Sequence, residues 1–129
     1  MQASYTVKVT NYFCGAHRLR GYQGDCVDVH GHNYKLTTEI TANQLDDLGM
    51  VIDFAQARPI IDKIVMQLDH KFFNEVSPFD TINPTAENIA AWIYKQIAQQ
   101  INSDRVRVKS VVLQETPHEA VSYTEEVAP

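Results

Sequence analysis

His17, His30 and His32 fall within sixteen consecutive positions, and Cys26 stands among them in the run Cys26-Val27-Asp28-Val29-His30-Gly31-His32. Two histidines one residue apart on an extended segment point to the same side, so both imidazoles can reach one ion. A third histidine from an adjacent strand completes a three-nitrogen set, which leaves a zinc ion one open coordination position for water or substrate. Such a site does chemistry rather than stapling a fold. A His-Gly-His run alone could simply mark a turn entering a strand; His17, which closes a strand-like segment of its own, tips the balance towards metal. Three neutral imidazoles with an open position suit zinc acting as a Lewis acid, and zinc is the cofactor expected here.

Most isolated cysteines are small buried hydrophobes. Cys26 instead lies in a polar loop four residues before His30, where a nearby cation favours the thiolate and makes it a base or nucleophile. The competing role is that of a fourth metal ligand, which would close the site and make the zinc structural. Asp69-His70 follows a helical segment, and by itself reads as a polar helix end with His70 complementing the C-terminal dipole. Glu115 follows Val111-Val112-Leu113 and puts a carboxylate at a strand's end, either solvated or paired with an N–H edge of a ligand. Thr85 and Glu87, in Pro84-Thr85-Ala86-Glu87-Asn88, read first as a helix N-terminus capped by Thr85.

The elements that must position these residues follow from periodicity. Tyr5, Val7 and Val9 alternate with Thr6, Lys8 and Thr10, which predicts a half-buried strand from Ser4 ending near His17. Residues 18–29 read as a loop with turn chemistry at Gly21, Gly24 and Asp25. His32, Tyr34, Leu36, Thr38 and Ile40 then trace one face of a second strand, with Lys35, Thr37 and Glu39 on the other. Antiparallel pairing of the two strands places His17 beside His30 and His32. Asp53 caps a helical segment carrying Ile60, Ile61, Ile64, Val65 and Leu68, and Pro59 predicts either a short first turn over 54–57 with a helix from about Arg58, or a kink. Residues 71–83 are irregular. Thr85 opens a second helix with a broad buried face of Ile89, Ala90, Trp92, Ile93, Ile97 and Ile101, ended by Asn102-Ser103-Asp104. Strands over 105–115 and 120–125 complete a ββααββ order. The expected fold is α+β: a four-stranded antiparallel sheet with two helices on one face, as one domain over residues 1–129. Two open edges on so small a sheet predict oligomerisation through them.

A chain of 129 residues with 44% apolar content suits one compact domain. Its formal charge of -5, with no Lys/Arg block, argues against nucleic acid as a partner. A phosphorylated small molecule would need local positive charge, for which Arg18, Arg20, Lys35 and Lys71 are the candidates. No stretch is long and apolar enough for a membrane span, and charged residues interrupt the N-terminal region, so neither membrane nor export is expected and the cytoplasm is. In that reducing compartment Cys14 and Cys26 are expected as free thiols.

With these residues assembled, the chain resembles the 6-pyruvoyl-tetrahydropterin synthase superfamily over nearly its whole length. Six ordered motifs carry the resemblance: Phe13-Cys14-Gly15-Ala16-His17-Arg18-Leu19, Cys26-x-x-x-His30-Gly31-His32-Asn33-Tyr34, Gly49-Met50-Val51-Ile52-Asp53-Phe54, Leu68-Asp69-His70, Pro84-Thr85-Ala86-Glu87-Asn88 and Gln114-Glu115-Thr116. It implies a tunnelling fold (T-fold) in which strands of several subunits close a barrel, as a homohexamer built from two trimers with active sites between chains. It also implies that His17, His30 and His32 hold zinc, that Cys26 is the proton acceptor with Asp69 and His70 as its relay, that Glu115 anchors a pterin, and that Thr85 contacts the pterin ring. Three residues separate Cys26 from His30, as in the bacterial 6-carboxytetrahydropterin synthase branch of queuosine biosynthesis; the pyruvoyl branch has a longer interval. A further branch, which makes 6-hydroxymethyl-dihydropterin, carries glutamate in the cysteine's role. The carboxy branch implies 7,8-dihydroneopterin triphosphate as substrate, with 6-carboxy-5,6,7,8-tetrahydropterin, acetaldehyde and triphosphate as products and no nicotinamide. The alternatives are triphosphate elimination without carbon–carbon cleavage, and a non-catalytic, zinc-stabilised pterin-binding module with Cys26 on the metal. Cys14 stands where the superfamily often has alanine or serine, and adds a second thiol near the site.

Overall fold

The computed structural model describes residues 2–21 and 28–126. Two long strands dominate it, β1 (Tyr5–His17) and β2 (His30–Ala42), paired antiparallel in one unbroken register from Tyr5 opposite Ala42 to His17 opposite His30. The alternation read from the sequence is what fixes that register. Val9, Phe13 and His17 on β1 and Tyr34, Leu36 and Ile40 on β2 are all buried on one face, and a slip of one residue would turn every one of them out. Gly21 has a φ of +74°, the left-handed backbone that glycine adopts without steric cost. The turn residues expected at Gly24 and Asp25 lie outside the described residues.

α1 (Phe54–Val65) follows, capped by Asp53, whose carboxylate accepts the Ala55 N–H at 2.9 Å. The helix is assigned continuously through Pro59, so the expected start near Arg58 is not seen. A proline inside a helix costs about 3 kcal/mol, because it removes one backbone bond and crowds the preceding turn. Burial of Ile61, Ile64 and Val65 from the same helix outweighs that, at roughly 1.5–3 kcal/mol for each side chain. α2 (Ala86–Ile101) buries Ile89, Ala90, Ile93 and Ile97 completely against β4 (Arg107–Thr116) and β5 (Glu119–Tyr123). Tyr94 pins the two layers by donating its hydroxyl to the Val108 carbonyl at 2.9 Å.

Between the helices lies a strand that the sequence pattern does not reveal, β3 (Lys71–Phe72), parallel to Gly15 and Ala16 of β1. It makes the sheet five-stranded, in the order β3-β1-β2-β4-β5; two residues are too few to show alternation. A 3-10 turn, Phe73–Glu75, follows it and turns the fully buried Phe73 ring towards β1. A Cβ at Gly15 would meet that ring at 2.1 Å, so glycine there is a packing requirement beside His17. Beyond Gly15 and Ala16 the outer edge of β1 pairs with no strand among the described residues, and neither does the outer edge of β5. No helix among the described residues is long and apolar enough to cross a membrane.

Candidate metal centre and adjoining cleft

Register places His17 directly opposite His30, and Gly15 opposite His32, so the three imidazoles share one end of the buried face. Their ring centroids lie 4.5 Å (17–30), 4.9 Å (30–32) and 5.4 Å (17–32) apart. Glu115 joins them from β4, on the same face as Leu113, and each of the four residues offers a donor atom within 4.8 Å of the others'. Glu115 Oε1 is 2.9 Å from His32 Nε2 and 3.9 Å from His17 Nε2. The contact to His32 is short but not aligned as a hydrogen bond, and His32 Nε2 is buried without a hydrogen-bond partner among the described residues.

Hydrogen bonding on the far side of two rings decides what their near sides can do. His17 Nδ1 is 2.7 Å from the Pro84 carbonyl, and His30 Nδ1 is 2.9 Å from the Asp28 carbonyl. A carbonyl only accepts, so in the neutral rings both Nδ1 atoms carry the proton and both Nε2 atoms are bare. Those two bare nitrogens face each other at 2.9 Å. Two lone pairs at that separation repel unless a proton or a cation lies between them. Backbone carbonyls that fix the ring tautomer are also the usual outer support of a metal-bound histidine. The residues present therefore fit a cation held by imidazole nitrogens with a carboxylate alongside. His17 is 1% exposed, and its pKa lies below the ordinary value; burial is the main cause, helped by His30 and His32 and opposed by the Pro84 hydrogen bond and Glu115. A neutral imidazole is the ligating form. Tyr34, buried beneath the cluster, has its phenol pKa raised by burial and then by the Glu115 charge.

The other face of β1 carries Cys14, an exposed free thiol. An open cleft of about 460 Å³ runs there, lined among others by Cys14, His32, Asn33, His70 and Lys71. Asp69 and His70 reach it together: Asp69 Oδ1 accepts the Cys14 N–H at 2.9 Å and lies 2.9 Å from His70 Nδ1. Asp69 is held below the usual carboxylate range, first by the Cys14 hydrogen bond and then by His70. His70 itself has a left-handed φ of 59° and its N–H donates to the Cys14 carbonyl at 2.6 Å. Asp69 and His70 thus do not merely end a helix. The structure brings His32 and His70 to one cleft, while Cys26 lies outside the described residues. Of the candidate cations Lys71 lines this cleft. Arg20 is committed elsewhere, its guanidinium donating to the Phe79 and Ile82 carbonyls.

Thr85 caps α2, its hydroxyl oxygen accepting the Asn88 N–H at 3.1 Å. The preceding carbonyl, of Pro84, is the one that anchors His17, so the helix start and the histidine cluster are one construction. Thr85→Ala is expected to cost about 1 kcal/mol of stability, read as a lower denaturant midpoint, with Thr85→Ser restoring it. Sequence reasoning missed the supporting carbonyls of Asp28 and Pro84, and the approach of Cys14 to Asp69 and His70. Only the one-residue offset of Cys14 from the face of His17 hinted at the second.

Comparison with known proteins points to one family. A putative 6-carboxy-5,6,7,8-tetrahydropterin synthase of Archaeoglobus fulgidus is 34% identical over 109 residues, covering 84% of this chain and 90% of that protein. The 6-carboxy-5,6,7,8-tetrahydropterin synthase of Rickettsia felis is 32% identical over 124 residues, covering 82% and 90%. Among solved structures, the 6-pyruvoyl tetrahydropterin synthase of Caenorhabditis elegans superposes with a TM-score of 0.86 over 97% of this chain and 98% of that one, at 24% identity. The α+β arrangement is accordingly the T-fold expected from the motifs. Because the family model described as 6-pyruvoyl tetrahydropterin synthase spans residues 6–126, and so takes in both histidine strands, the Asp69-His70 turn and Glu115, the chain belongs to the 6-pyruvoyl tetrahydropterin synthase family.

Proposed function

We propose that this chain, as one domain over residues 1–129, is a zinc-dependent lyase that converts 7,8-dihydroneopterin triphosphate to 6-carboxy-5,6,7,8-tetrahydropterin, acetaldehyde and triphosphate, in queuosine biosynthesis. The observation that carries the metal half of the reading is the pair of bare Nε2 atoms of His17 and His30 facing each other at 2.9 Å. The spacing of Cys26 from His30 supports the product, together with the names of the curated relatives.

His17, His30 and His32 would hold the zinc. When bound, zinc supplies Lewis acidity that makes side-chain hydroxyls of a pterin and the adjacent carbon's proton easier to deprotonate. Cys26 accepts that proton as thiolate, and His70, oriented by Asp69, takes it onward or returns it. Glu115 accepts N–H groups of the pterin edge with its carboxylate. The Thr85 hydroxyl oxygen already accepts from Asn88 and keeps its own proton free to donate to the ring. Lys71, in the cleft beside His70, neutralises part of the triphosphate. The two open sheet edges support a barrel closed by further copies, as a homohexamer, in the cytoplasm.

The test is product analysis by mass spectrometry with purified, zinc-loaded protein and dihydroneopterin triphosphate. Acetaldehyde and the carboxy-pterin in equal amounts are expected. 6-Pyruvoyl-tetrahydropterin without acetaldehyde would move the chain to the elimination reaction, and tight pterin binding without any product would make it a binding module.

A further inference from the structure

We propose that Cys14, Asp69 and His70 form a second metal site, separate from the three-histidine cluster, which takes a thiophilic divalent cation such as zinc and switches the protein off when filled. The Cys14 Sγ, a carboxylate oxygen of Asp69 and a ring nitrogen of His70 all lie within 4.8 Å of one another. They come from β1 and from the turn before β3, and two hydrogen bonds lock those segments together: Cys14 N–H to Asp69 Oδ1 at 2.9 Å and His70 N–H to the Cys14 carbonyl at 2.6 Å. The fold has therefore already met the ordering cost that a metal usually imposes on its ligands.

Donor chemistry names the class of ion. Thiolate, imidazole and carboxylate together suit zinc and its soft neighbours and disfavour magnesium or calcium, which need all-oxygen shells. Cys14 Sγ now donates to Asn33 Oδ1 at 3.1 Å; on ionisation the same amide can turn its NH2 to the sulfur, so the thiolate keeps a partner. The adjoining cleft is open, which gives an ion a way in and leaves water a fourth position. The two donor groups have no residue in common, so the two ions would not share ligands.

The inhibitory consequence rests on the proposed function, in which His70 handles a proton: a metal-ligated imidazole no longer can. One equivalent of zinc would activate the protein and excess would silence it.

The experiment begins with protein carrying one zinc per chain, titrated with further Zn2+ by equilibrium dialysis and with Co2+ to read a thiolate-to-metal charge-transfer band. Wild type is expected to take a second equivalent. Cys14→Ala, and Cys14→Ser as a second replacement at this exposed position, should bind it about 100-fold more weakly, as expected for loss of one strong donor. Cys26→Ala should bind it as wild type does. Excess zinc should inhibit turnover in wild type and spare Cys14→Ala. The proposal is overturned if no second equivalent binds, if Cys14→Ala binds it undiminished, if the band follows Cys26 instead, or if excess zinc inhibits Cys14→Ala equally. Binding is read with or without pterin turnover, so a wrong assignment of the reaction would leave the metal result standing.

Discussion

Turnover by Cys26→Ala is expected to fall by about 100- to 10,000-fold while zinc content stays at one ion per chain, the range that a well-placed acid or base contributes. The reason lies in the completeness of the donor set without sulfur. Donor nitrogens of His17, His30 and His32 already converge within 4.8 Å, and the two strands that carry the imidazoles are paired from end to end. Removing the thiol would then subtract a proton acceptor and leave the ion where it was. Cys26→Ser should be nearly as poor, because a serine hydroxyl has no accessible anion near neutral pH to replace a thiolate. Metal analysis on the same preparation used for the rate measurement makes the result decisive. Loss of zinc in step with loss of activity would make Cys26 a ligand and the centre a structural one.

How far the sequence discloses this site depends on the range of the interaction that builds each part. The three imidazoles were legible because period-2 alternation sets which face each residue takes, and a single hairpin register then brings His17 to His30. Caps at Asp53 and Thr85 were legible for the same reason, since a cap is a contact between residues two or three apart. Longer-range features were not. Glu115 reaches the histidines through the pairing of β4 with β2, which contains a register shift between Glu39 and Ile40 that no local pattern announces. Cys14 meets Asp69 across 55 positions through its backbone N–H, which the Asp69 carboxylate accepts, and a backbone donor carries no sequence signal. Pro59 misled only on where the helix starts: its local cost is real, yet tertiary burial of the same helix keeps it unbroken from Phe54. Arg20 looked like a phosphate ligand by type alone, yet its guanidinium holds the carbonyls of Phe79 and Ile82.

His17→Ala is the second substitution expected to have a large effect, and it separates two jobs that one ring performs. As a ligand, His17 contributes one of three nitrogens, so zinc affinity should drop about 100-fold or more, and with it all turnover. As a buried side chain it also satisfies the Pro84 carbonyl at 2.7 Å. Its removal leaves that acceptor stranded where water is excluded, at a cost of about 1–3 kcal/mol in protein that has never seen metal. His32→Ala is the matched control, because His32 Nε2 has no hydrogen-bond partner to strand among the described residues and the ring is 17% exposed. Both variants should lose the ion to a similar degree in a competition titration with a chromogenic chelator. Denaturant unfolding of the metal-free proteins should then place His17→Ala below His32→Ala in midpoint at equal slope. Equal midpoints would mean that the Pro84 carbonyl does not set the His17 ring. The bare face of Nε2 would then lose its physical basis, and donor type alone would favour a cation between His17 and His30.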